Sequence, residues 1–543
     1  LPLDPAVPRA QLHFNPYVRL GDPTSSHNLN AFVHGPAESW PWRSWVLAAH
    51  LLRLFSSVLG LGTLWLIGDS ARRLWPDQPA RVRLAVTLVA FLPQFIFIHS
   101  AISNDPLIIF LCTAALWQLL CLWQKTAGMR GLGDYVLLGI TIGLAALTKN
   151  QGLLLAFLAA GAVMAAAVRQ RVWRQSLLAL FCLGGTIILL AGWWWWRNWL
   201  LYGDYTATSQ FIRLAGGDQH YTLRHVLAES ELLWLSLIGR FGWMNVAPPI
   251  WVYWLWNGLV LVAAVGGGWQ VASGRRRSPS KIQNPKSKIV PAGLWLALWV
   301  ALVYGGLILF MLKTPAAQGR LLFPALLPLA LATAFGLTAF RADWLNGTAA
   351  GVALFTALYV GAVTLPRAYA RPKLLPEAAL PETATLLRVD VGQGLELVAA
   401  QMETTTAVPG DDVWLTLYWR AHRLPSRPPI LEASLVGREL EGVGSVVGYH
   451  GRGHYPATLW PLETIVADRF SIHLREGMNV PVEARLYVHL LDGGGSWPAA
   501  TLKVVPPTWP SPADEVLASF EGGIQLAAAQ IDPPGGRGGR PGP

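Results

Sequence analysis

The chain has 543 residues, 53% of them hydrophobic and 13% charged, with a mean hydropathy of +0.38. That is too apolar for a soluble globule. The formal net charge of +11 would suit a nucleic-acid partner, but much of the excess falls in short loops between apolar runs, so membrane topology is the simpler cause. Many of the 27 tryptophans sit near the ends of those runs, as interfacial anchors do. Cys112, Cys121 and Cys182 all lie inside apolar runs and read as packing residues, not a disulfide framework.

The chain starts at Leu1 without a signal-peptide pattern. Residues 1–44 are polar and rich in Pro, Asn and His. They read as part of a first external loop whose beginning is missing. Ten apolar runs follow, at about 46–68, 82–102, 106–124, 134–149, 152–168, 176–196, 249–272, 290–312, 321–340 and 347–365, each of roughly the length that crosses a bilayer. Residues 45–366 are thus expected to form a helical membrane domain. One set of loops carries Arg72, Arg73, Arg81 and Arg83, then Lys125 and Arg130, then Arg169, Arg171 and Arg174, then Arg275, Arg276, Arg277, Lys281, Lys286 and Lys288. By the positive-inside rule these face the cytoplasm. Residues 197–248 form a long outer loop, with an interfacial amphipathic stretch near its middle.

After residue 366 the composition changes. A linker at 367–384 leads to residues 385–510, where short β-rich runs at 412–419, 429–436, 466–474 and 482–491 are punctuated by turns. They predict an antiparallel β-sandwich outside the membrane. Residues 511–543 read as a partly disordered tail.

The opposite, outer loops hold few charges, but these are placed at span ends. Asp105 stands between two runs in Ser103-Asn104-Asp105-Pro106, as a helix N-cap or a working carboxylate. Lys149 ends the fourth run, as a C-terminal cation or a point charge for phosphate. Arg197 follows four tryptophans, as an interfacial anchor or a phosphate ligand. Arg320 opens the ninth run, where a cation is unfavourable, so an anionic partner is expected. Asn104, Asp22, His34, Glu38 and Asp204 are candidate substrate-loop residues. No phosphate loop, dinucleotide fingerprint, zinc spacing or nucleophile elbow appears. Chemistry outside the membrane needs a donor already carried by it. A polyprenyl-phosphate sugar fits, since phosphate needs cations and glycosyl transfer needs a carboxylate.

These stretches resemble the GT-C superfamily of integral-membrane glycosyltransferases, and within it the family 39-like group of protein O-mannosyltransferases and lipid A aminoarabinose transferases. The resemblance is carried by Ser103–Leu107, Gly143–Lys149, Arg197–Asp204 and Gly319–Ala325, with Asn15-Pro16-Tyr17, Gly21-Asp22-Pro23-Thr24 and His50–Leu54 before them. It covers about residues 12–340. It implies two outer acidic residues, of which Asp105 matches the second; the first is expected upstream of Leu1. It also implies a bacterial plasma-membrane protein with its active face outside. Its implied function is sugar transfer from a polyprenyl-phosphate donor to a lipid, glycan or protein acceptor. A divalent cation stays open as a cofactor, with no metal ligand set assigned. Two rival readings are a transporter or flippase for lipid-linked sugars, and a non-catalytic protein whose sandwich binds glycan.

Overall fold

A computed structural model describes residues 13–18, 30–124, 131–214, 217, 219–273, 286–493, 495–507, 518–520 and 524–526. They divide into two compact units, one built from 36–370 and the other from 14–18, 30–35 and the chain from Arg371 onward. The first is a helical bundle. Among the described residues, eight helices are long and apolar enough to cross a membrane, nine if one bent pair is a single span. The chain is therefore a multi-pass helical membrane protein with a C-terminal β domain.

The bent pair corrects the expectation of one unbroken run over 82–102. Helix α1 (Ser44–Leu74) is followed by α2 (Pro79–Ala90) and α3 (Pro93–His99), which meet at 61°. Pro93 cannot donate a helical hydrogen bond, and Leu92 before it is extended, so the helix breaks there. Helix α4 spans Asp105–Gln124, and α5, Leu132–Thr148, is shorter at 17 residues. Helices α6 (Leu153–Gln170) and α7 (Trp173–Tyr202) follow. The long loop then folds into three short helices, α8 (Thr208–Leu214), α9 (Leu223–Ala228) and α10 (Ser230–Gly239). The remaining long helices are α11 (Ile250–Ala272), α12 (Lys286–Met311), α13 (Leu326–Leu337, continuing a 3-10 turn from Gly319) and α14 (Asp343–Tyr359).

Lipid tails are as apolar as leucine, so these helices associate by close packing rather than by escape from water. Small residues make that packing possible. Gly139 of α5 faces Thr186 of α7, where a Cβ would come within 2.8 Å. A Cβ on Gly336 of α13 would overlap the backbone carbonyl of Ala263 in α11. At one end of the bundle, Arg73 and Gln124 exchange hydrogen bonds, Trp117 Nε1 donates to Asp69 at 2.8 Å, and Arg81 Nε donates to Thr338 Oγ1 at 2.8 Å.

The second unit contains two five-stranded sheets. Strands β1 (His13–Phe14) and β2 (Phe32–Val33) form a two-stranded sheet, and the strands of the five-stranded sheets are β3 (Lys373–Leu375), β4 (Thr385–Gly392), β5 (Leu395–Met402), β6 (Thr406–Ala407), β7 (Asp412–Ala421), β8 (Ile430–Val436), β9 (Gly442–Tyr449), β10 (Ile465–His473), β11 (Val482–Leu490) and β12 (Trp497–Val504). They run in the orders β3-β10-β7-β5-β4 and β6-β12-β11-β8-β9. Pairing is antiparallel except between β6 and β12. Alternating residues of both sheets share one core, with Leu417, Trp419 and Ile472 from one and Leu435, Leu486 and Val488 from the other. Inside it, His450 Nδ1 lies 3.0 Å from Asp468 Oδ2, and the Gly451 N–H donates to the same carboxylate. The loop after His450 takes up the segment from near the start of the chain. His34 N–H donates to the Gly453 carbonyl at 2.9 Å, and Asn30 Nδ2 donates to the Arg452 carbonyl at 3.3 Å.

Gly336→Ala is expected to destabilise the bundle by about 1–3 kcal/mol through overpacking. Gly347→Ala, whose Cβ would meet nothing within 4 Å, should not. Thermal unfolding of the detergent-solubilised protein compares the two.

Candidate active site

The other end of the bundle is knit from four loops. Helix α4 starts abruptly after α3: Ser103 Oγ accepts the Asp105 N–H at 3.2 Å, Asn104 C=O accepts from Ile108, and Pro106 sits in the first turn, where its missing N–H costs nothing. Asp105 is thus the first helical residue and not the cap. Among the described residues its carboxylate makes no backbone hydrogen bond. It is held instead by two cations: Lys149 Nζ lies 2.6 Å from Oδ1 and Arg320 Nη1 3.4 Å from Oδ2. The Asp105 side chain is 5% exposed, Lys149 26% and Arg320 36%. The carboxylate lies at the positive end of its helix dipole, and Lys149 closes the C-terminus of α5, where a cation is favoured.

Each cation is placed by a turn that only glycine permits. After Lys149 the chain makes a 3-10 turn, Asn150–Gly152, closed by Gly152 N–H donating to the Lys149 carbonyl at 2.8 Å. A Cβ on Gly152 would overlap the Ala145 carbonyl. Before Arg320, Gly319 is wedged against α10. Its N–H donates to Ser236 Oγ at 2.7 Å, and a Cβ would overlap the backbone nitrogen of Leu237. Gln318 Oε1 accepts from Arg320 Nε at 2.8 Å and orients the guanidinium. The expectation of an anionic partner for Arg320 therefore has a partner within the protein, Asp105.

The remaining candidates disperse. Asn104 Nδ2 donates to the Thr148 carbonyl at 3.2 Å and ties the α4 start to the α5 end. Arg197 stands apart from the cluster, 4.8 Å from the Trp194 ring, with Nη1 donating to Asn198 at 3.5 Å. Asp204 is occupied: it accepts the N–H and hydroxyl of Thr206 on one oxygen and of Ser209 on the other, all at 2.9 Å. Its partial burial would raise the pKa, but these donors prevail and hold it at about 2 against an ordinary 3.8. Glu38 ends a short 3-10 turn in the helical unit, His34 belongs to the β unit, and Asp22 lies outside the described residues. Among the described residues no group of three or more His, Cys, Asp or Glu side chains could hold a metal ion. The net-positive surroundings of Asp105 do not fit one either.

Sequence reasoning missed Gln318 and His99. The His99 ring is buried, its Nδ1 lies 2.9 Å from the Phe95 carbonyl, and it is within electrostatic reach of Asp105. Gly60 clears space for it, since a Cβ there would come within 2.9 Å of the ring. A histidine at the end of an apolar run was the available signal.

Residues 44–328 match the family described as predicted membrane protein (DUF2142), and the chain belongs to that family. No curated protein matches it. Among solved structures, the chain is similar to ArnT from Cupriavidus metallidurans. With its apo state it shares 15% identity and a TM-score of 0.34, over 55% of this chain and 47% of that one. With the form bound to undecaprenyl phosphate the values are 14% and 0.36, over 63% and 54%. It is also similar to the Archaeoglobus fulgidus oligosaccharyltransferase, at 15% identity and a TM-score of 0.34, over 65% and 49%. The chain spans about half the length of these proteins.

Two outcomes are expected. Lys149→Met should lower the unfolding midpoint more than Arg320→Met, because the Lys149 contact is shorter and less exposed; about 1–3 kcal/mol is at stake where a partly buried pair is broken. For Asp204 the folded pKa is depressed, so its contribution is complete above its ordinary 3.8 and is lost as pH falls toward about 2. Hydrogen exchange over residues 204–214 should accelerate across that window in the wild type and be fast throughout in Asp204→Asn.

Proposed function

We propose that the protein is a GT-C-type membrane glycosyltransferase that moves a sugar from a polyprenyl-phosphate donor to an acceptor outside the plasma membrane of a bacterium. The observation that carries this reading is the Asp105–Lys149–Arg320 cluster, which has two cations to one carboxylate at a partly open mouth of the bundle. The excess positive charge suits a phosphate, and each cation has donors to spare. An ammonium carries three and a guanidinium five, while Lys149 gives one to Asp105 and Arg320 gives Nε to Gln318 and Nη1 to Asp105.

In the transfer, the acceptor oxygen bonds to the anomeric carbon as the bond from that carbon to the phosphate oxygen breaks. The phosphate keeps the electron pair, and the acceptor's proton passes to a base. Lys149 and Arg320 stabilise the charge that grows on the leaving phosphate. Asp105 keeps the two cations together at one point. The flippase reading expects interrupted helices in matched pairs, whereas among the described residues only the α2–α3 bend is an interrupted span.

The test uses the full chain in nanodiscs with undecaprenyl phosphate as probe and labelled polyprenyl-phosphate sugars as donors. Lys149→Met and Arg320→Met should each weaken lipid binding about tenfold or more. Asp105→Asn should cut transfer by about 10²-fold. Wild-type transfer by Asp105→Asn would sink the proposal.

A further inference from the structure

A cavity of about 360 Å³ lies in the helical unit beside the Asp105 cluster. It is formed where the segment before α9 runs along the end of α12, with Tyr221 N–H donating to the Leu312 carbonyl at 2.8 Å and Gln219 N–H to that of Lys313 at 3.1 Å. Leu232 and Met311 give it an apolar wall. Tyr221 and His225 stack at 4.5 Å and 14° on its lining, and Glu229 and Gln318 supply polar groups. Gln318 is the link to the ion cluster, because its amide oxygen holds Arg320, which in turn holds Asp105.

Three features define what this space can take. Among the described residues no lysine or arginine lines it, so an anionic group has no counter-ion among them. The Glu229 carboxylate has no hydrogen-bond or ion-pair partner among the described residues. It accepts only, and so calls for a ligand rich in hydroxyl donors. An apolar wall together with stacked rings suits the flat, C–H-bearing face of a cyclic molecule. The volume falls within the range of small-molecule sites. On the reading that the ion cluster binds the donor phosphate, we infer that this cavity holds the neutral, hydroxyl-rich sugar ring of a substrate, with the Glu229 carboxylate accepting hydrogen bonds from it. The donor's sugar and a glycan acceptor both present such a ring.

The test measures saturation-transfer NMR from the full chain in nanodiscs to a panel of methyl hexopyranosides. At least one should bind. Glu229→Gln should weaken that binding about tenfold, the loss of hydrogen bonds to a charged acceptor, and Ala317→Trp should abolish it by filling the space. Gly347→Ala, remote from the cavity lining and with open space for a Cβ, should leave it unchanged. Displacement of the glycoside by undecaprenyl-phosphate glucose but not by undecaprenyl phosphate assigns the ring to the donor; retention of the glycoside with both assigns it to the acceptor. Either result supports the cavity as a sugar site. The inference is overturned if no glycoside binds, or if Glu229→Gln and Ala317→Trp bind like the wild type. Failure of undecaprenyl phosphate to bind, with glycoside binding intact, overturns the phosphate reading instead.

Discussion

A carboxylate with 5% of its side chain exposed, at the head of a helix in an apolar bundle, has to be matched by positive charge. Left alone, such a group costs several kcal/mol. That requirement organises one end of the membrane unit. It draws the α5–α6 turn and the Gly319 turn onto the start of α4, and neighbouring contacts follow the same seam. Asn150 Nδ2 donates to the Thr206 carbonyl, and Gln151 Nε2 to that of Leu321. The loops meet because the cations they carry share one partner.

The opposite end offers a useful contrast. Asp69 is also satisfied by two arginines, but Arg72 and Arg73 lie one turn further along its own helix. Such pairs form at little entropic cost and contribute a few tenths of a kcal/mol each. The partners of Asp105 come from distant parts of the chain, and both depend on glycines that tolerate no side chain. Helical stability alone does not call for this arrangement, since a Ser or Asn cap would finish α4 as well. The expense in backbone constraint sets this ion cluster apart from an ordinary helix-surface pair.

Much of the bundle was legible because membrane helices announce themselves through apolar length, and the sandwich through alternation. The break at Leu92-Pro93 was also legible, since proline removes a donor, but it was covered by the apolarity of the surrounding run. Asp105, Lys149 and Arg320 stood out as charges at span ends. Their meeting did not, because Gly152 and Gly319 act through contacts with Ala145 and Leu237 that no local pattern reveals. Asp204 illustrates the reverse. Thr206 and Ser209 beside it are hydroxyl residues that cap and turn, and they occupy its carboxylate completely. The amphipathic stretch of the outer loop carries no sign of a cavity in its sequence, and only the folded loop places Glu229 on one.

The β unit takes strands and hydrogen bonds from residues 14–18 and 30–35 as well as from the chain after Arg371. Asn15 illustrates this: it is fully buried, its N–H donates to the Ala31 carbonyl, and Asn30 beside it reaches the loop after His450. Synthesis order then matters. The first piece leaves the ribosome well before the sheets that will receive it exist, because helices α1 to α14 are made in between. Those early residues gain their hydrogen bonds to the loop after His450 only once the chain beyond Arg371 has been made. A sandwich excised at its obvious sequence boundary would lack this piece and expose the Arg452 and Gly453 carbonyls that it satisfies.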